Sequence, residues 1–226
     1  MKLIEQCQQQ FTLLVSLARN DAELARAAMR GGAHGVKVHI NVEHFASGTK
    51  FGSLEEEHEN LARIVEVVRE KDGSIGIVPG GNPFASQDDF AQLSEMGVDY
   101  FDAYPADAPA WTLAQKDLDV MLAAFHGAEI STLQKLETLG MTLCEASIMH
   151  HDDYGKDLSA LDLARYAELA QNLKSPIIIP SQKKIVPRDV EALKATGARA
   201  LLIGAIVTGR DADSVEAAAR AFSKVL

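Results

Sequence analysis

Short apolar runs rich in β-branched residues alternate with longer stretches of helical periodicity along the whole chain. The apolar runs predict eight strands, at residues 12–18, 35–41, 75–80, 100–104, 119–125, 142–149, 177–180 and 200–204. Helices are predicted between and after them, at residues 22–30, 54–70, 87–95, 130–138, 160–172, 188–195 and 212–224. The fourth connection, 105–116, has the weakest pattern. Strands that alternate with helices in this way pair in parallel through right-handed crossovers.

Glycines stand between several predicted helices and the strands that follow them, as in Gly97-Val98 and Gly197-Ala198. Glycine there supplies the left-handed residue that ends a helix. The rival fold, an open doubly wound sheet, would carry a glycine-rich turn after the first strand, but residues 16–21 contain no glycine. We therefore predict an α/β protein that forms a single (β/α)8 TIM barrel, with residues 1–226 as one domain.

The charge balance bears on partners and on the compartment. The formal net charge is -10, which disfavours binding to nucleic acid or to an anionic membrane surface. Two cysteines, Cys7 and Cys144, are too few for a disulfide framework and fit a reducing compartment. The sequence shows neither a signal-peptide pattern nor an apolar run of membrane-spanning length, so we predict a cytoplasmic protein.

The last two strand–helix units carry a resemblance to a known family. The stretches 185–193, 196–202 and 203–209 contain a short approach to a helix, a Gly197-Ala198 turn and a strand that ends in Ile203-Gly204-Ala205. In these features the chain resembles the ribulose-phosphate-binding barrel superfamily, which includes tryptophan- and histidine-biosynthesis barrels and phosphosugar epimerases. The resemblance covers about the last fifty residues and implies a phosphate site between the loops after strands seven and eight.

One departure from the family concerns the loop after strand seven. The family places glycines there, whereas this chain has Ser181-Gln182-Lys183-Lys184. The Ser181 hydroxyl, the Gln182 amide or a lysine is then expected to take over part of the anion binding. Gly204 fits the family pattern, because the absence of Cβ lets an anion approach the backbone N–H groups that begin with Ala205. The alternative is that Gly204 only relieves crowding at the barrel rim and that both lysines are solvated.

Polar residues occupy one face of the second predicted strand. Lys37, His39 and Asn41 alternate with apolar residues, so they point into the barrel. An ammonium group there is costly unless it is paired or engaged with a substrate, and burial alone lowers a lysine pKa. Glu145 on strand six and Asp102 on strand four are the predicted partners. Lys37 is therefore either a base or Schiff-base nucleophile, or part of a structural ion pair.

Two further segments raise questions of loop closure and metal binding. The loop 42–53 is long and rich in small residues, and we interpret it as a mobile lid, with an ordered surface loop as the alternative. His150-His151-Asp152-Asp153 invites a metal hypothesis, but neighbouring residues cannot all face one ion from an extended strand. We therefore predict no metal, with a carboxylate-bound divalent ion as the minority alternative.

The leading functional hypothesis is an enzyme of small phosphorylated metabolites, a lyase or aldolase, or an isomerase or epimerase. Lys37, Glu145, His39 and Asp102 are the candidate catalytic residues, and the candidate phosphate-binding residues are Ser181, Gln182, Gly204 and Ala205. The alternatives are a metal-dependent hydrolase that uses His39, Glu145 or Asp152, and a barrel that binds a metabolite without catalysis.

The hypothesis has consequences for cofactors and assembly. No nucleotide motif is present, so we expect no cofactor, although a flavin bound through its phosphate at the same site stays an open alternative. The expected partner is a small phosphorylated substrate. Alanine-rich helix faces at residues 22–29 and 217–222 are compatible with a homo-oligomer.

Overall fold

The computed structural model describes residues 2–44 and 47–226. Its barrel strands are β1 (Thr12–Ser16), β2 (Gly35–His39), β3 (Ser74–Val78), β4 (Tyr100–Ala103), β5 (Asp119–Phe125), β6 (Leu143–Ser147), β7 (Ile177–Pro180) and β8 (Ala200–Ile203). Each strand pairs in parallel with its sequence neighbours, and β1 pairs with β8 to close the barrel. The predicted (β/α)8 TIM barrel is confirmed.

The barrel is surrounded by α2 (Ala22–Arg30), α3 (Leu54–Arg69), α4 (Gln87–Met96), α5 (Ile130–Leu139), α6 (Ala160–Asn172), α7 (Val190–Ala195) and α9 (Ala212–Ser223). The seven predicted helices are found here, with ends that differ from the prediction by at most two residues. The fourth connection, where the helical pattern is weakest, contains a 3-10 helix at Ala110–Leu113. Gly32, Gly97, Gly140 and Gly197 have positive φ angles from 90° to 132°, as the helix-ending role requires.

Two α-helices and one hairpin among the described residues were not predicted. Helix α1 (Leu3–Gln9) precedes the barrel, α8 (Ala205–Thr208) follows β8, and an antiparallel hairpin pairs Glu43–His44 with Thr49–Lys50 after β2. The hairpin occupies the loop 42–53 that we interpret as a lid. Phe45 and Ala46 of that loop lie outside the described residues. Within the described part of the chain, no helix is both long and apolar enough to span a membrane.

The lower half of the barrel interior is apolar and filled. Leu3 and Cys7 of α1 pack in one cluster with inward residues of several strands, including Tyr100 on β4. The Gln6 amide ties α1 to the barrel, because it donates to His34 O at 2.9 Å and accepts from Ser74 Oγ at 2.8 Å. Helix α1 therefore closes the amino-terminal end, and open space is left for a site at the carboxyl ends of the strands.

Candidate active site

The floor of the site is a lysine held between two carboxyl groups. Lys37 Nζ on β2 donates to Asp102 Oδ2 on β4 at 2.6 Å and to Glu145 Oε2 on β6 at 2.5 Å. The three residues are 5%, 3% and 6% exposed. Such short distances at this depth are charge-assisted hydrogen bonds in a region of low dielectric. The predicted convergence of Lys37, Asp102 and Glu145 is thus present in the structure, and the Schiff-base and ion-pair interpretations can be compared on it.

The two carboxyl groups differ in pKa because the single ammonium group of Lys37 can balance the charge of only one of them. Burial alone would raise the pKa of Glu145, but the Lys37 ammonium and hydrogen bonds lower it to about 2. Burial and the negative charge of Glu145 hold the pKa of Asp102 well above its usual range. Glu145 is therefore the more acidic of the two carboxyl groups, and Asp102 is the one that holds its proton to higher pH.

The charge state of Lys37 differs from the expectation for a Schiff-base nucleophile. Burial lowers the pKa of Lys37, but the charges of Asp102 and Glu145 outweigh burial and raise the pKa. Lys37 is consequently a protonated ammonium group at neutral pH. In this state it can donate hydrogen bonds and stabilise negative charge, whereas attack on a carbonyl carbon would first require the loss of its proton.

Each of the two carboxyl groups has a second oxygen that does not contact Lys37, and the two oxygens have different surroundings. Glu145 Oε1 accepts a hydrogen bond from Ser147 Oγ at 2.8 Å, which further stabilises the ionised form. Asp102 Oδ1 is buried and has no hydrogen-bond partner within the described part of the chain. A buried carboxyl oxygen without a partner is costly, so Asp102 Oδ1 is a candidate contact for a substrate.

A cavity of about 360 Å³ opens above this floor, within the usual size range of small-molecule sites. All eight strands or the loops that follow them contribute to its lining. The cavity lies at the carboxyl ends of the strands, where barrels of this kind place their chemistry. Lys37, Asp102 and Glu145 form its floor, and the four predicted phosphate-binding residues lie on its wall: Ser181, Gln182, Gly204 and Ala205.

The wall formed after β7 and β8 offers hydrogen-bond donors. Gly204 N donates to Ser181 Oγ at 2.8 Å, which joins the ends of the two strands. The first bonded N–H groups of α8 are those of Val207 and Thr208, so the N–H groups of Ala205 and Ile206 lack an intrahelical acceptor. A Cβ on Gly204 would lie 3.5 Å from Ser16 Cβ and 3.9 Å from Ser181 Oγ. We call Ser181, Gly204, Ala205 and Ile206 the anion edge.

Gln182 is engaged mainly with the protein. Its Oε1 accepts from Met149 N at 3.1 Å, and its Nε2 donates to the Tyr154 hydroxyl at 2.6 Å. The Gln182 amide therefore links the loop after β7 to the loop after β6. Tyr154 also lines the cavity, but no sequence pattern indicated it, because its position depends on how these two loops pair.

His39 lies on the predicted face but does not line the cavity. Its ring is fully buried and stacks on Phe51 at 4.6 Å and against His44 at 4.4 Å between ring centroids. Burial, together with the nearby His44 and Lys37, lowers the pKa of His39 well below its usual value. Two other histidines line the cavity: His44, which the sequence left as part of the loop, and His151 at the rim.

His44 is fixed in a neutral form. Its Nδ1 lies 2.9 Å from Ser47 Oγ, and burial and the positive charge of Lys37 lower its pKa to about 4. Among the residues 2–44 and 47–226, no group of three histidine, cysteine or acidic side chains is arranged to hold a metal ion. The segment His150-His151-Asp152-Asp153 instead forms a short 3-10 turn at the rim.

The fold is shared with solved structures of low sequence identity. A mutant tryptophan synthase α-subunit from the hyperthermophile Pyrococcus furiosus has a TM-score of 0.74 and 13% identity, with 94% of this chain and 98% of that chain covered. Thiamine phosphate pyrophosphorylase from Pyrococcus furiosus has a TM-score of 0.69 and 14% identity, with 95% of each chain covered. The chain shares the (β/α)8 barrel fold of these two structures.

A 3-hexulose-6-phosphate synthase is also similar, with a TM-score of 0.65, 15% identity, and coverage of 95% of this chain and 99% of that chain. No family model and no curated protein matches the chain. At these identities the likeness concerns the fold. It confirms the architecture that the resemblance of the last fifty residues implies.

Proposed function

We propose that this barrel is an enzyme that moves a proton next to a carbonyl group of a small phosphorylated metabolite, in a lyase or aldolase, or an isomerase or epimerase, reaction. The observation that carries the proposal is the Lys37–Asp102–Glu145 cluster on the floor of a cavity whose wall bears the anion edge. The names of the similar structures, which include a thiamine phosphate and a hexulose phosphate enzyme, support a phosphorylated substrate.

The chemistry assigned to each floor residue follows from its charge. The Lys37 ammonium donates a hydrogen bond to the carbonyl oxygen of the substrate and stabilises the negative charge that develops there when the adjacent C–H or C–C bond breaks. Asp102, in its ionised form, accepts the proton of the adjacent C–H bond and later returns it, because its raised pKa makes it the stronger base of the two carboxylates. Glu145 stays ionised and keeps Lys37 protonated.

The anion edge orients the substrate. The N–H groups of Ala205 and Ile206, with the Ser181 hydroxyl, are placed to bind phosphate oxygens, and Gly204 leaves room for their approach. Binding energy from the phosphate then holds the carbonyl group over Lys37.

One experiment tests both halves of the proposal. The protein is incubated in D2O with a panel of phosphorylated hydroxyketones and aldoses, and ³¹P and ¹H NMR report phosphate binding and deuterium uptake next to the carbonyl. We expect at least one compound to bind and exchange. Gly204→Ala should weaken binding at least about tenfold, because its methyl group fits the fold but occupies the approach to the anion edge.

Gly81→Ala is the matched control. Its Cβ would lie 3.5 Å from the Asp107 side chain, on the opposite wall, so the same chemical change should leave phosphate binding intact. Lys37→Met should retain phosphate binding and lose the exchange. Equal phosphate affinity in the wild type and Gly204→Ala would overturn the anion edge, and unaltered exchange in Lys37→Met would overturn the role of the floor.

A further inference from the structure

The loop after β7 is fastened to the loop after β6 by its backbone. Gly155 N donates to Gln182 O at 2.8 Å, and Lys184 N donates to Lys156 O at 2.9 Å. The Gln182 side chain adds its bonds to Met149 N and the Tyr154 hydroxyl. The segment that begins with Ser181 is therefore held along its length, although it lacks the glycines that the resembling barrels carry there.

A buried ion pair anchors the same loop to helix α6. Lys183 Nζ lies 3.4 Å from Asp162 Oδ2, and the two side chains are 8% and 5% exposed. Asp162 also accepts from Ser159 N at 2.9 Å and Ser159 Oγ at 2.8 Å at the start of α6. The next residue, Lys184, is exposed. Two adjacent lysines thus have opposite environments.

The position of Lys183 separates it from the ligand. Lys183 does not belong to the cavity lining, whereas Ser181, two residues earlier, does. Burying an ammonium group is costly, and one ion pair at 3.4 Å repays that cost only in part. The ion pair is therefore explained less by its contribution to stability than by the position in which it holds the loop after β7.

We propose that Lys183 is a positioning residue for the anion edge. Its ion pair with Asp162 anchors the loop after β7 to α6, which fixes the Ser181 hydroxyl on Gly204 N. Lys183 then acts on a bound anion through Ser181 and not by contact. The proposal rests on the anion edge of the proposed function, but its structural part, the fixing of Ser181 on Gly204, can be measured without a ligand.

The test compares Lys183→Met with Lys184→Met, a matched control one residue away. Hydrogen exchange of the Gly204 amide reports the bond to Ser181, and exchange in the strand β3 reports the rest of the barrel. Lys183→Met should speed exchange at Gly204 and in the loop 182–185 at least about tenfold, with β3 unchanged. Lys184→Met should change neither, and Lys183→Arg should restore wild-type exchange.

Titration with inorganic phosphate, followed by ³¹P NMR, completes the design. If the wild type binds phosphate, Lys183→Met should weaken binding about tenfold or more, and equal affinity would overturn the proposal. If the wild type does not bind phosphate, faster exchange at Gly204 in Lys183→Met still supports positioning while the proposed function fails. Unchanged exchange at Gly204 sinks the proposal in either case. Should Lys183→Met fail to fold, Asp162→Asn breaks the same pair and is measured in its place.

Discussion

Lys37 and Lys183 are both buried, but they differ in the number of carboxyl groups that surround them. Lys37, on the cavity floor, contacts two carboxyl groups, whereas Lys183, outside the cavity, contacts one. The pair of Lys183 with Asp162 is balanced in charge. The cluster around Lys37 has one carboxyl group in excess, and the pKa of that group, Asp102, is raised by burial and by the charge of Glu145.

This difference in the number of carboxyl groups distinguishes a site suited to acid–base chemistry from a structural ion pair. In a balanced pair each charge is compensated by the other, and the pair of Lys183 with Asp162 joins two elements of the fold. A buried cluster with a surplus carboxyl group has a carboxyl pKa shifted towards neutral pH, and such a group can exchange a proton with a substrate. The number of carboxyl groups around a buried lysine is therefore more informative about function than its burial.

The largest expected effect comes from removing the cation of the unbalanced cluster. Lys37→Met leaves Asp102 and Glu145 buried without a counter-charge and should lower the free energy of unfolding by about 3–5 kcal/mol at neutral pH. Without the ammonium, both carboxyl groups have raised pKa values, so the loss should shrink as the pH falls and they become protonated. Urea unfolding at neutral and acidic pH measures both effects.

Lys183→Met provides the comparison for that variant. It should cost less than Lys37→Met, because Asp162 keeps its two hydrogen bonds from Ser159. Lys184→Met, at an exposed lysine, should change the free energy of unfolding by less than about 0.5 kcal/mol. An equal cost for Lys37→Met and Lys183→Met would show that the surplus carboxyl group has no energetic consequence.

A smaller effect is expected from Glu145→Gln. The pKa of Glu145 is lowered from 4.5 to about 2, and this difference corresponds to about 3 kcal/mol of stability at neutral pH. That value is an upper limit, because Asp102 can ionise and replace Glu145 beside Lys37 in the variant. Because the pKa of Glu145 is lowered in the folded protein, its carboxylate contributes its full stabilisation at pH values above the ordinary pKa of 4.5. This contribution is lost as the pH falls towards 2.

The wild type and Glu145→Gln should therefore differ most at neutral pH and converge on acidification, as measured by urea unfolding across that range. A difference between the two proteins that does not change with pH would mean that the carboxylate charge is not what stabilises the wild type.

The fold was predictable from sequence because its signals are local and repeated. Apolar runs recur eight times, helical stretches follow seven of them, and glycines end several of the helices, so an error in one unit does not change the architecture. Helix α1 was missed because its apolar face is short and reads as an ordinary amino terminus. Its role depends on the open lower end of the barrel, which no local pattern reveals.

The site residues that lie on strands were predictable, because strand alternation decides which way they point. The residues positioned by contacts between loops were not. Lys37, Asp102 and Glu145 followed from the two-residue period of three strands. His39 followed from the same rule and lies on that face, but His44 and Phe51 of the loop 42–53 cover it. The environments of Gln182 and Lys183 depend on contacts with Tyr154 and with α6, and these contacts join loops that are distant in sequence.

The effect that is expected to be smallest in acid, and that has the opposite sign as the pH rises, is that of Asp102→Asn. Because the pKa of Asp102 is raised, its carboxyl group stabilises the fold fully below the unfolded value near about 3.9, and this contribution is lost as the pH rises through the folded value. The amide of asparagine does not titrate and can still accept from Lys37. The variant should be within about 1 kcal/mol of the wild type in acid and should gain on it as the pH increases. Urea unfolding from pH 4 upward measures this gain; a variant that loses ground with rising pH would show that Asp102 is ionised in the folded protein and that the cluster around Lys37 carries no surplus proton.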